Sequence, residues 1–143
     1  MNKDMTKQKK KILIVEDERK LSYILKLLLE DDGFKVVCSY SGYEGLYKYV
    51  REKPDLIILD IMLPDLNGHE VCREIRWVLN DLKTPIIMLT CKGEDYERIK
   101  GKVVGATKYM LKPYDGENLL NQIRECLEQS TQGLTAGRRV NGG

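Results

Sequence analysis

The chain has 143 residues, 42% hydrophobic and 32% charged, a balance that suits one globular domain and excludes a charge-dominated disordered chain. Net charge is +2, and residues 1–11 hold five lysines against Asp4, which leaves −2 for the rest and no clustered basic surface for nucleic acid. No apolar stretch approaches the ~18 residues of a membrane span, no apolar leader precedes Lys11, and Cys38, Cys72, Cys91 and Cys126 lack CxxC spacing, so a reduced cytoplasmic protein is expected rather than a disulfide or zinc scaffold.

Residues 1–10 are read as a basic, disordered N-terminus. Residues 12–15 (ILIV) form a β-branched run that ends in Glu16-Asp17-Glu18 and predicts a first strand. Leu21, Ile24, Leu25 and Leu28 then recur at helical spacing until Asp32-Gly33 stops the helix. Residues 34–38 (FKVVC) predict a second strand, and Ser41-Gly42 opens a helix with Leu46, Tyr49 and Val50 that Pro54 closes. Residues 56–59 (LIIL) predict a third strand, ending in Asp60. Beyond Pro64 and Gly68, the positions Val71, Ile75, Val78 and Leu79 mark a third helix. Residues 86–89 (IIML) follow Pro85 and end in Thr90. A more polar helix is predicted over 94–104, then a fifth strand over 108–111 (KYML) ending in Lys112. Leu119, Leu120, Ile123 and Leu127 mark the last helix, and residues 130–143 read as a flexible tail or linker, so the domain is expected over 11–129.

Strands that alternate with helices, and that are apolar without alternation, predict an α/β fold with a parallel sheet buried on both faces. Right-handed crossovers favour a doubly wound, flavodoxin-like sheet of order 2-1-3-4-5. Such sheets carry their sites at the carboxyl ends of the strands. Asp17, Asp60, Thr90 and Lys112 would converge there, with Glu16 beside them. Three carboxylates repel one another unless a cation joins them, and hard oxygen ligands suit Mg²⁺. A carboxylate beside such an ion can act as a nucleophile toward phosphorus, with a lysine neutralising phosphoryl charge and a threonine hydroxyl donating to a phosphoryl oxygen. Alone, Asp60 fits a turn or cap residue, and Glu16-Asp17-Glu18 fits an acidic helix start; their joint delivery to one rim favours a site.

The stretches ILIVEDE (12–18), DLIILDIMLPDLNGHE (55–70), PIIMLT (85–90) and GATKYMLKPY (105–114) resemble, in order and spacing, the receiver domain of bacterial two-component response regulators. The resemblance implies that Asp60 accepts phosphate from a sensor histidine kinase or phosphotransfer protein. It implies Mg²⁺ (Mn²⁺ as a substitute) on Asp17, Asp60 and the backbone carbonyl of Met62, with Glu16 acting through water. Lys112 would pair with the phosphoryl group, the Lys112–Pro113 peptide would be cis, and Thr90 and Tyr109 would form a switch pair. The output would be altered binding of an effector domain or partner protein at the face made by the 94–104 helix, the fifth strand and the last helix, with phosphorylation-linked homodimerisation. The chain would be a signalling module that assists its own phosphorylation and dephosphorylation rather than an enzyme, and would contact neither nucleic acid nor membrane.

Some positions depart from the family pattern. Thr107 and Lys108 stand where receivers with winged-helix effectors often carry two acids of a dimer face, although Arg124 remains on the last helix. Cys91 replaces a small residue beside the phosphate, and Met62 and Lys92 flank the path of a hydrolytic water. The rival readings are a phosphorylation-independent scaffold, an aspartyl-phosphate phosphohydrolase and a flavin or nucleotide module. The hydrolase would want a second Asp at position 62, and the nucleotide module a glycine- or hydroxyl-rich loop where Glu16-Asp17-Glu18 stands.

Overall fold

The computed structural model describes residues 8–91 and 105–142, the last twelve of these by backbone alone. Five strands, β1 (Lys11–Val15), β2 (Lys35–Ser39), β3 (Leu56–Asp60), β4 (Ile86–Thr90) and β5 (Lys108–Leu111), form one parallel sheet of order β2-β1-β3-β4-β5. This is the expected fold and order. The three strands with no exposed residue, β1, β3 and β4, lie inside the sheet, and β3 and β4 are buried throughout, whereas β2 and β5 at its edges are partly exposed. Burial on both faces is why β3 and β4 are apolar without alternation.

Successive strand residues point to opposite faces, and the core divides accordingly. On one face Ile12, Ile14, Leu56, Ile58, Ile87 and Leu89 pack with Leu25, Leu29, Leu119 and Ile123. On the other, Leu13, Val15, Ile57, Leu59, Ile86 and Met88 pack with Val71, Cys72 and Ile75. Each such burial contributes about 1.5–3 kcal/mol before conformational entropy is subtracted.

The covering helices are α1 (Arg19–Asp31), α2 (Gly42–Glu52), α3 (Gly68–Arg73), which runs directly into a π-helical turn at Glu74–Val78, and α4 (Gly116–Gly142). Among the described residues no helix is long and apolar enough to cross a membrane. The helix expected at 94–104 lies outside the described residues, as do residues 1–7.

Three expectations are corrected. In α1 the buried residues are Ser22, Leu25 and Leu29, whereas Leu21 is exposed and Ile24 is 61% exposed. The apolar run there is wider than one face, and the small Ser22 lets the helix settle on a rotated one. In the third helix Val78 and Leu79 are exposed, because the π turn rotates them off the face that carries Val71 and Ile75. The last helix does not stop near 129: its backbone stays helical to Gly142. No proline interrupts that stretch, and the chain can continue a helix without any apolar stripe.

Candidate functional site

The site sits where β1, β3, β4 and β5 end. Val15 pairs with Leu59 in register, so Glu16 follows level with Asp60. Asp60 pairs with Leu89, which brings Thr90 to the same rim, and the Lys112 N–H donates to the Thr90 carbonyl at 2.7 Å. Glu16, Asp60 and Thr90 are buried, and Asp17 is exposed. Carboxylate oxygens of Glu16, Asp17 and Asp60 all lie within 4.8 Å of one another. The Lys112 ammonium donates to Glu16 Oε1 at 2.7 Å and to Asp60 Oδ2 at 3.2 Å. The Lys112–Pro113 peptide is cis.

The electrostatics follow from that crowding. Burial opposes the charge on Lys112, but the bond to Glu16 and the charges of Asp60 and Glu16 outweigh it and hold its pKa above the ordinary value of 10.5. Asp17 is pushed up, by burial first and then by its bond to and the charge of Glu16. Two like charges and a third nearby favour whatever cation reduces their repulsion.

The loop after β3 is built to hold Asp60. The Met62 N–H donates to Asp60 Oδ1 at 3.3 Å, and the Gly68 N–H donates to the Ile61 carbonyl at 2.8 Å. A Cβ at Gly68 would meet the Asp60 carbonyl oxygen at 2.4 Å, so only glycine fits beneath the aspartate. Asn67 then caps α3 in a reciprocal pair with Glu70. Asp65, further along the loop, accepts from the Gly42 N–H at 2.7 Å and the Tyr43 N–H at 3.0 Å, and so caps α2 from across the fold. Burial works to raise the Asp65 pKa, but the N–H groups of Tyr43, Leu66 and Gly42 prevail and hold it at about 2.

Glu16, Asp17, Asp60 and Lys112 are thus in one cluster, with Thr90 on the adjoining strand end and Met62 in the supporting loop. Tyr109 lies three residues before Lys112 on β5, half-buried, with its ring 6.5 Å from that of His69. Cys91 is exposed beside Thr90, and Lys92 lies outside the described residues. Sequence reasoning missed Asp65, His69 and Arg76. Asp65 carried only an ordinary turn signal, and His69 was lost among the polar residues that open a helix.

Three hard carboxylate donors grouped around one point, beside the Lys112 ammonium, have the chemistry to hold a small divalent cation and to receive an anionic group next to it. Known proteins resemble this chain in sequence and in fold. A family model described as the response regulator receiver domain matches residues 12–124. The response regulator ArlR of Staphylococcus saprophyticus is 44% identical over 122 residues, covering 85% of this chain and 54% of that protein. ArlR of Staphylococcus aureus is 45% identical over 121 residues with the same coverage, so the chain spans about half the length of these curated relatives. Among solved structures, a CheY-like receiver domain protein of Methanospirillum hungatei superposes with a TM-score of 0.83 at 30% identity, covering 88% of this chain and 99% of that one. The chemotaxis protein CheY4 of Vibrio cholerae gives 0.79 at 31% identity, covering 83% and 99%. The match over residues 12–124, relatives at 44–45% identity and the shared fold together show that this chain belongs to the receiver domain family of two-component response regulators.

Proposed function

We propose that this receiver takes a phosphoryl group onto Asp60 from a phosphohistidine of a sensor kinase or phosphotransfer protein, with Mg²⁺ (or Mn²⁺) as cofactor. The observation that carries the reading is the Lys112 ammonium, which bridges Glu16 and Asp60 beside the Asp17 carboxylate. An Asp60 carboxylate oxygen forms a bond to phosphorus while the P–N bond to the imidazole breaks, and the electron pair leaves with the nitrogen. Asp17, Asp60 and the Met62 carbonyl would hold the cation directly and Glu16 through water; when bound, it neutralises charge on the transferring group. Lys112, kept protonated by its two carboxylates, pairs with the phosphoryl oxygens. The Thr90 hydroxyl donates to one of those oxygens.

An incoming partner meets an apolar surface at the rim. Leu21, Ile24, Pro113 and Tyr114 line a cavity of about 480 Å³ that also touches Glu16 and Lys112. A partner helix seated there would bring its phosphohistidine to Asp60. Phosphorylation adds close to two negative charges, which draw the Thr90 hydroxyl inward, and the Tyr109 ring fills the space it vacates. The output is altered binding of an effector or partner protein at the face of β5 and α4, with homodimerisation as one form of it. The domain so used spans 11–129 and works in the cytoplasm.

The test is incubation with Mg²⁺ and a small acyl phosphate or phosphoramidate, followed by intact-mass measurement. One phosphate should add to the wild type and none to Asp60→Asn. No adduct on the wild type, or an adduct that survives Asp60→Asn, defeats the reading.

A further inference from the structure

The apolar spacing of the third helix predicts Val78 and Leu79 in the core, yet the π turn at Glu74–Val78 leaves Ile75 and Arg76 buried and turns the following residues out. π turns are rare and concentrate at functional positions. Facing Leu79, helix α2 presents Tyr43, Tyr47 and Val50, spaced four and three residues apart on one face. Together with Trp77 and Val78, these residues are 42–65% exposed. Between the two walls runs a groove of about 570 Å³ lined by Leu46, Tyr47, Val50, Arg51, Glu74 and Leu79. It continues past Val50 and Leu79 to Pro54 and Thr84, in a further hollow of about 300 Å³.

This is more than scattered surface apolarity. Aromatic side chains carry ~150–250 Å² each, so the three rings alone expose on the order of 350 Å². The aliphatic residues extend the patch toward the about 800 Å² per partner of a stable interface, with the aromatic content that such interfaces favour.

The charges at the rim say what covers it. The main groove carries one cation, Arg51, and one anion, Glu74, and its continuation again one of each, Lys53 and Asp81. Arg51 donates to the Tyr47 hydroxyl at 2.8 Å, and Glu74 has no ion-pair partner among the described residues. A nucleic acid or an acidic peptide would leave Glu74 repelled, and a basic peptide would leave Arg51 repelled. A second copy related by a two-fold axis sets Arg51 of each copy against Glu74 of the other. We propose that the groove between α2 and the π turn is a self-association surface, occupied by the same groove of a second copy of this chain. Helix α2 packs on β2 and β1, at the far side of the sheet from β5. The contact therefore leaves the β5 face free and does not depend on phosphorylation of Asp60.

The experiment is sedimentation velocity on the unphosphorylated full chain over a concentration series. The wild type should shift from monomer to dimer as concentration rises, and Val50→Glu should remain monomeric. Arg51→Glu and Glu74→Arg should each weaken the dimer about tenfold, and the double variant should recover it, as a direct charge pair requires. Circular dichroism checks that these surface variants stay folded. A wild type that is monomeric at its highest soluble concentration overturns the proposal. A dimer indifferent to Val50→Glu, or charge reversals that worsen one another, overturns it as well.

Discussion

Asp65 makes its two bonds through a carboxylate that must stay ionised. Its folded pKa of about 2 lies below the ordinary 3.8, so the stability it contributes is fully present above about pH 4 and is lost as pH falls toward 2. Asp65→Asn keeps one acceptor oxygen and leaves one α2 N–H without its partner. The variant should lose about 1 kcal/mol at pH 7, and its deficit against the wild type should shrink to nothing as urea melts are taken down through that acid range. A deficit that is flat with pH would show that the carboxylate charge is not what caps α2. Lys112 is the opposite case: its pKa is raised, so the stability its own charge contributes is present at neutral pH and is lost as pH climbs through its raised value. Residue types at this scale were legible, since Asp60, Asp17, Thr90 and Lys112 each end or follow an apolar run. Long-range partners such as Gly42 for Asp65, 23 residues away, were not, because no local pattern encodes a contact made by folding.

Elements differ in how well their pattern can be read. The inner strands leave no doubt about face, because both faces are buried. Helix faces leave more than one choice, and tertiary contacts made it for α1 and for the π turn. Arg76 shows what that turn accomplishes. Its buried guanidinium donates to the Gly105 carbonyl at 2.9 Å, the Asp81 carbonyl at 2.9 Å and the Thr107 hydroxyl at 3.4 Å, tying the third helix to the start of β5. Arg76→Met should leave two carbonyls short of donors and cost ~2–3 kcal/mol. In urea unfolding this appears as a lower midpoint with an unchanged slope. Arg76→Lys should recover only part of it, since an ammonium cannot span the three acceptors as a planar fork does. Arg124, which the sequence left available for a dimer face, is bound within the chain, donating to both Asp32 oxygens at 2.7 and 2.8 Å. Lys108 likewise pairs with Glu125 at 2.9 Å. Both pairs are partly exposed, so each contributes ~0–1 kcal/mol.

For the whole molecule, the acidic rim is a store of repulsion that a bound cation would relieve. A ligand that binds only the folded state stabilises by about 2.7 kcal/mol at a hundredfold excess over its dissociation constant. Magnesium should therefore raise the thermal midpoint of the wild type, the chelator EDTA should reverse the rise, and Asp17→Asn should abolish most of it. An equal rise in the variant would place the ion elsewhere. The sequence by itself determined the fold class, the strand order and the set of residues at the rim, because buried strands and strand-end residues are written locally as apolar runs and the residues that stop them. Only the tertiary structure decided which helix faces are buried, where the third helix rotates its apolar residues outward, and which carboxylates Lys112 joins. Those outcomes depend on packing and charge between segments far apart in the chain, where several local patterns are equally good until the sheet brings them together.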